Sequence, residues 1–171
     1  SAASDVYKRQ FPWRRQLDDL AAEPGSPACI ALTGGEPLLM ADEAVAFFSR
    51  ASELFPAAHL RLYTSGDLLS RELIDRLVRA GLHEIRFSVK QDDKPELLEK
   101  VLERMAWARE QVPTVMVEMP VIPGTDSFMK ELLAKLDALG VDGVNLLEFA
   151  YAMWNWPVFE SLGLTLRLSL I

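Results

Sequence analysis

Ala31-Leu32-Thr33-Gly34-Gly35-Glu36-Pro37-Leu38-Leu39 is the stretch on which the fold turns, an apolar run of strand length that stops at two glycines, a carboxylate and a proline. Two adjacent glycines let the backbone take positive φ and approach a bound molecule with no Cβ in the way. Glu36 offers a carboxylate at that point, and Pro37 keeps the strand from continuing. The stretch reads as a strand that ends in a ligand-contacting loop.

Outward from it, short β-rich runs alternate with longer helical patterns, the runs beginning near Ala28, His59, Glu84, Thr114 and Asp142. Their spacing of roughly 25 to 31 residues is what one strand, one helix and two short loops consume, and it predicts parallel strands joined by right-handed crossovers. The intervening segments carry helical stripes: Ala44, Phe47, Phe48, Ala51, Leu54 and Phe55; Leu73, Ile74, Leu77 and Val78; Leu97, Leu98, Val101, Leu102 and Met105; Phe128, Leu132, Leu133 and Leu136. Gly81 and Gly140 sit where helices should stop, and Ser70 and Asp126 where the second and fourth should be capped.

Periodicity leaves an open doubly wound sheet and part of a closed barrel equally available. Strand polarity separates them. A doubly wound sheet is covered on both faces and its strands tend to be apolar throughout. Here Arg61, Tyr63 and Ser65 share one face of their strand, as do Arg86, Ser88 and Lys90, then Met116, Glu118 and Pro120, with Asn145 available in the fifth run. A polar stripe pointing into a barrel explains this economically, since functional groups concentrate at the C-terminal ends of barrel strands. The predicted fold is therefore α/β, an incomplete TIM-like parallel β/α barrel over Ala28 to Phe149. Arg61 and Arg86 are read equally as salt-bridged residues or substrate contacts, and Glu118 as a structural acid more than a substrate contact. His59 and His83 precede strands and read as surface residues, and the aromatic segment Tyr151 to Pro157 reads as packing.

The chain has 171 residues, half of them hydrophobic, enough for one domain with a sizeable core. A net charge of −7 without any basic run argues against nucleic acid or an anionic membrane surface as partner. No apolar run approaches a membrane span. The single cysteine, Cys29, lies in an apolar run and reads as a small buried strand residue; it excludes a disulfide scaffold, which makes the cytoplasm the expected compartment. Asp5-Val6-Tyr7-Lys8-Arg9-Gln10 and Leu168-Ser169-Leu170-Ile171 back-translate to opposite-strand readings of a transposon end used in sequencing libraries. Residues 1–10 and 168–171 are thus expected to be adapter-derived tails, and residues 11–167 a natural domain cut at both sides.

Gly34-Gly35-Glu36-Pro37 resembles the Gly-Gly-Glu-Pro motif of radical S-adenosylmethionine enzymes, in which this loop ends the second barrel strand and holds the methionyl end of the cofactor. The order of further motifs matches the activating enzymes of glycyl-radical enzymes, such as those of pyruvate formate-lyase. Tyr63-Thr64-Ser65-Gly66 resembles their Thr-Asn-Gly, with Ser65 in place of Asn; Phe87-Ser88-Val89-Lys90 resembles their Asp-x-Lys, with Ser88 in place of the acid. Val121-Ile122-Pro123-Gly124-Thr125-Asp126 is similar to their Val-Pro-Gly-x-x-Asp, and Asn145 to Phe149 to the sixth barrel strand. The resemblance implies that Gly34, Gly35 and Glu36 take the methionyl ammonium and carboxylate, Ser65, Ser88 and Lys90 the ribose and carboxylate edges, and Val121 and Ile122 the adenine face. It further implies a [4Fe-4S] cluster, a flavodoxin- or ferredoxin-type electron donor, an unidentified small-molecule or protein substrate, and reductive cleavage of S-adenosylmethionine to a 5′-deoxyadenosyl radical. The Cys-x3-Cys-x2-Cys loop that holds such a cluster is absent, so the chain as given is expected to be inactive alone. Two rivals stand beside this reading: a cofactor-independent barrel enzyme using Glu36 or Glu118 as base with Lys90, and a noncatalytic βα domain.

Overall fold

The computed structural model describes residues 13–89, 95–148, 156–161 and 163. The two terminal tails, Lys90, Phe149 and Tyr151 to Asn155 lie outside the described residues. A first helix, α1 (Trp13–Ala22), precedes the repeating part: β1 (Cys29–Leu32), a 3-10 turn (Pro37–Met40), α2 (Ala41–Leu54), β2 (His59–Thr64), α3 (Arg71–Arg79), β3 (Glu84–Ser88), α4 (Pro95–Arg109), β4 (Thr114–Val121), α5 (Asp126–Leu139), β5 (Gly143–Glu148) and a short α6 (Trp156–Ser161).

All five strands belong to one parallel sheet in the order β1-β2-β3-β4-β5. This sequential order is what distinguishes a barrel segment from a doubly wound sheet. Right-handed crossovers that always step the same way along a sheet put every helix on one face. Burial follows suit. Leu60, Leu62, Ile85, Phe87, Val115, Val117 and Met119 are buried against the helices, while their alternates Arg61, Tyr63, Arg86, Met116 and Glu118 on the opposite face stay partly exposed. The chain has the α/β fold of a partial TIM-like barrel.

The helical side holds a single apolar core in which Phe48, Phe87, Leu60, Leu62, Ile74 and Leu77 are almost fully enclosed. Complete burial of such a side chain contributes about 1.5–3 kcal/mol each. Trp13 of α1 meets Phe47 of α2 edge to face with centroids 5.6 Å apart, and its indole N–H donates to Glu43. Ser70 caps α3 as expected, its Oγ accepting from the Leu73 N–H at 3.1 Å. The expected cap at Asp126 is corrected by one residue. The capping position is Thr125, whose hydroxyl donates to the Ile122 carbonyl instead of accepting from the helix, and Asp126 lies in the first turn. Gly140 ends α5 in the left-handed region at φ 69°.

Cys29 also differs from expectation. It is exposed rather than buried. Alternation along β1 turns Ile30 to the core and sends Cys29 and Ala31 to the opposite, helix-free face.

Candidate functional site

The C-terminal ends of β1 and β2 are tied together by one carboxylate. After β1 the chain turns through Gly34 (φ 95°) and Gly35 (φ 41°), conformations that side-chain-bearing residues adopt only under strain. Glu36 follows in extended conformation and begins the 3-10 turn, where Pro37 occupies a position needing no N–H. Its Oε1 accepts from the Leu38 N–H at 3.0 Å and from Thr64 Oγ1 at 2.8 Å. Its Oε2 accepts from the Ser65 N–H at 2.7 Å and from Ser65 Oγ at 2.8 Å. A carboxylate has about four acceptor positions, so Glu36 is saturated by the chain's own donors. The glycine loop after β1 is thereby pinned to the end of β2.

Beside this tether opens a cleft of about 440 Å³, a size suited to a nucleoside-bearing ligand. Thr33, Gly34, Gly35, Tyr63, Thr64, Ser65, Asp67, Ser88, Leu97, Val101 and Glu118 line it. Gly34 looks into open space, with no atom within 4 Å of where a Cβ would stand, so its backbone is bare toward a ligand. Next to Ser65, Gly66 is turned at φ 86°, and a Cβ there would meet the Phe87 ring at 2.8 Å.

On the helix-free face a charged ladder crosses the strands. Glu84, at the start of β3, faces His59 Nε2 at 2.6 Å, Arg61 Nε at 3.0 Å and Arg86 Nε at 2.5 Å. Arg86 also donates to Glu118 at 2.7 Å, and Asn145 reaches the same Glu118 oxygen at 3.4 Å. The register makes this possible by setting Arg61 beside Glu84, and Glu118 between Ser88 on one side and Asn145 on the other. Burial would raise the Glu84 carboxyl, but the donors from Arg86 and His59 outweigh it and hold it below the usual carboxylate range. Burial likewise opposes the Arg86 charge, and the hydrogen bonds to Glu84 and Glu118 more than offset it, raising its pKa. Two carboxylates face two guanidiniums, so the ladder is close to neutral.

Among the expected site residues, Gly34, Gly35, Ser65 and Ser88 line one cleft, and Glu36 lies beneath it holding the loop. Val121 ends β4 and Ile122 follows it; neither is among the described residues that line the cleft. Lys90 lies outside the described residues. Arg61 and Arg86 are salt-bridged, and Glu118 is both salt-bridged and at the cleft. The histidines are not simple surface residues. Their rings stack 5.6 Å apart, His59 pairs with Glu84, and His83 Nδ1 accepts the Leu60 N–H at 3.1 Å.

Sequence reasoning missed Thr64 as a partner of Glu36, Asp67 in the cleft wall, and Glu84 as the hub of the ladder. Only Glu84 had a usable signal, its two-residue phase with Arg86 and Ser88.

The bare glycine backbone, the cleft volume and the strand-end hydroxyls fit S-adenosylmethionine. An iron-sulfur cluster does not fit the residues present. The single cysteine starts β1, about 16 Å of extended chain before Gly34, and cannot supply a set of thiolates beside the cleft.

Comparison with known proteins agrees with this geometry. A protein of Methanocaldococcus jannaschii named as a glycyl-radical enzyme activating enzyme is 27% identical over 140 residues, covering 78% of this chain. The chain spans only 36% of that relative's length. The family profile described as the Radical SAM superfamily matches residues 13–136, which include the glycine loop, the tether and the ladder as far as Glu118. The chain belongs to the Radical SAM superfamily.

Proposed function

We propose that this chain is the S-adenosylmethionine-binding core of a radical SAM enzyme on the glycyl-radical activase branch. The observation that carries the reading is the Gly34-Gly35 loop, which lines the cleft with Gly34 bare toward it and is pinned by Glu36 to the end of β2. In this reading the Gly34 and Gly35 backbone receives the methionyl end, and Glu36 keeps that backbone in place. Ser65 and Ser88 offer hydroxyls to the polar edges of the ligand, Lys90 its ammonium to the carboxylate, and Val121 and Ile122 an apolar face to the adenine. When bound together with a reduced [4Fe-4S] cluster held by other residues, the cofactor supplies reductive cleavage and hydrogen abstraction. The residues of this chain bind, orient and exclude water.

The relative's name makes a protein the favoured substrate, with a small molecule as the other class and a flavodoxin- or ferredoxin-type donor as electron source. The proposed compartment is the cytoplasm; among the described residues no helix is long and apolar enough to cross a membrane. Glu118 makes a poor general base for the cofactor-independent rival, because Arg86 and Asn145 already occupy one of its oxygens.

Calorimetric titration of the chain with S-adenosylmethionine tests the binding half. Saturable one-to-one binding that is lost on Gly34→Val is expected, and no binding at millimolar ligand removes the proposal in favour of a noncatalytic domain. Anaerobic treatment with iron and sulfide tests the other half: no stable cluster and no 5′-deoxyadenosine are expected from this chain alone.

A further inference from the structure

The core takes Ile85 and Phe87 from β3, and Val115, Val117 and Met119 from β4, so alternation turns Ser88 and Glu118 to the helix-free face. The register sets these two side by side, and both line the cleft. Just beyond them the Val89 N–H donates to the Glu118 carbonyl at 3.0 Å, which fixes the pairing at this level. The two oxygens of the Glu118 carboxylate differ. Oε1 accepts from Arg86 at 2.7 Å and from Asn145 at 3.4 Å. Oε2 has no partner among the described residues, and unlike Oδ1 of Asp67 it is not shut off from solvent. One oxygen is thus held by the ladder, and the other is left to the cleft.

An ionised carboxylate oxygen with open acceptor positions calls for donors. It does not call for charge here. The two acids of the ladder already face two guanidiniums, and a cation brought to Oε2 would be repelled by Arg86 across the same carboxylate. Neutral hydroxyls meet both conditions. Paired strands stand about 4.8 Å apart, which puts Ser88 Oγ and the Glu118 carboxylate within reach of two neighbouring hydroxyls at once. We infer that Glu118 Oε2 and Ser88 Oγ together hold a vicinal diol, the 2′- and 3′-hydroxyls of the bound nucleoside. This rests on the proposed S-adenosylmethionine site and deepens it. It is a feature of this chain rather than of the motif: Ser88 stands where the Asp-x-Lys pattern has its acid, and the carboxylate comes from the neighbouring strand.

The test uses 5′-methylthioadenosine and its 2′,3′-dideoxy counterpart, two neutral nucleosides without a methionyl end. Ligand-observed NMR titrations are run on the 171-residue chain and on Glu118→Gln. The expected result is a Glu118→Gln loss of about tenfold or more for 5′-methylthioadenosine, in line with one charge-assisted contact, and less than about twofold for the dideoxy probe. Equal losses for both probes would assign Glu118 to another part of the nucleoside and overturn the diol contact. No loss for either would leave Glu118 a partner of Arg86 alone and overturn it too. A wild-type chain that binds neither probe brings down the underlying site as well, which separates the two failures.

Glu118→Asp keeps a charge opposite Arg86 and withdraws the carboxylate by one methylene, so it reads the same contact should the glutamine variant not fold. It is expected to lose most of the preference for the diol, and a preference equal to that of the wild type would overturn the inference. The wild-type chain alone gives a third reading. A dideoxy probe that binds it as tightly as 5′-methylthioadenosine overturns the inference whatever the variants do.

Discussion

Replacing Glu36 with Gln isolates the tether from every other property of the loop. The glutamine keeps one oxygen and turns an NH2 toward two of the present donors. Either choice faces one backbone N–H, of Leu38 or of Ser65, which cannot reverse, and one hydroxyl, of Thr64 or Ser65, which can. One backbone bond is therefore lost and the others lose their charge assistance. A hydrogen bond to a charged group is worth about 1.5–3 kcal/mol, and partial exposure of the site favours the lower part of that range, so a loss of about 2 kcal/mol is expected. For a chain of this size that corresponds to a thermal midpoint lower by about 4–8 °C. Glu36→Ala, which removes all the acceptors, should cost more. Circular dichroism melts read the stability, and titration with S-adenosylmethionine reads the site. A drop in both is the expected outcome. A Glu36→Gln chain of unchanged stability that loses binding would make Glu36 a ligand group and refute the tether; unchanged stability with unchanged binding would refute it too.

Ser70→Ala removes the Oγ acceptor of the Leu73 N–H and should cost about 1 kcal/mol in urea unfolding, with the cleft untouched. Gly66→Ala places a Cβ at 2.8 Å from the Phe87 ring at φ 86°, and should cost about 2 kcal/mol or more in urea unfolding while weakening ligand binding by shifting the adjacent Ser65, which lines the cleft. The Glu84 carboxyl is held below its ordinary value of 4.5, so its contribution is fully present above that pH and is lost as pH falls through its lower folded-state value. Acid titration of stability should therefore steepen below about pH 4.5, and Glu84→Gln should flatten the profile in that window.

Much of the fold was legible because it depends on spacing and alternation. The expected strand starts at His59, Glu84 and Thr114 coincide with those observed, and Ala28 and Asp142 each miss by one residue. Barrel against doubly wound sheet was legible from the polar stripe, because Arg61, Arg86 and Glu118 are in phase with one another and out of phase with the core. Their partners were not. Which carboxylate meets which guanidinium depends on the stagger between strands, and parallel register sets Arg61 beside Glu84 only once the loops have fixed it. Cys29 was misread because an apolar run predicts burial on both faces, whereas strands in this sheet have helices on one. Asp126 was misread because the Thr125 hydroxyl is drawn to the Ile122 carbonyl, a contact no local cap preference encodes.

The motif itself divides along the same line. Gly34 and Gly35 matter through what they lack, and a missing side chain is visible in sequence. Glu36 matters through what it touches, and three of its four donors come from Thr64 and Ser65, 28 and 29 residues away. A conspicuous carboxylate in a ligand loop is easily read as a ligand group, but one already saturated has no acceptor left to offer unless it releases its own backbone. In this cleft the motif's glycines line the ligand space, and its carboxylate holds the loop that presents them.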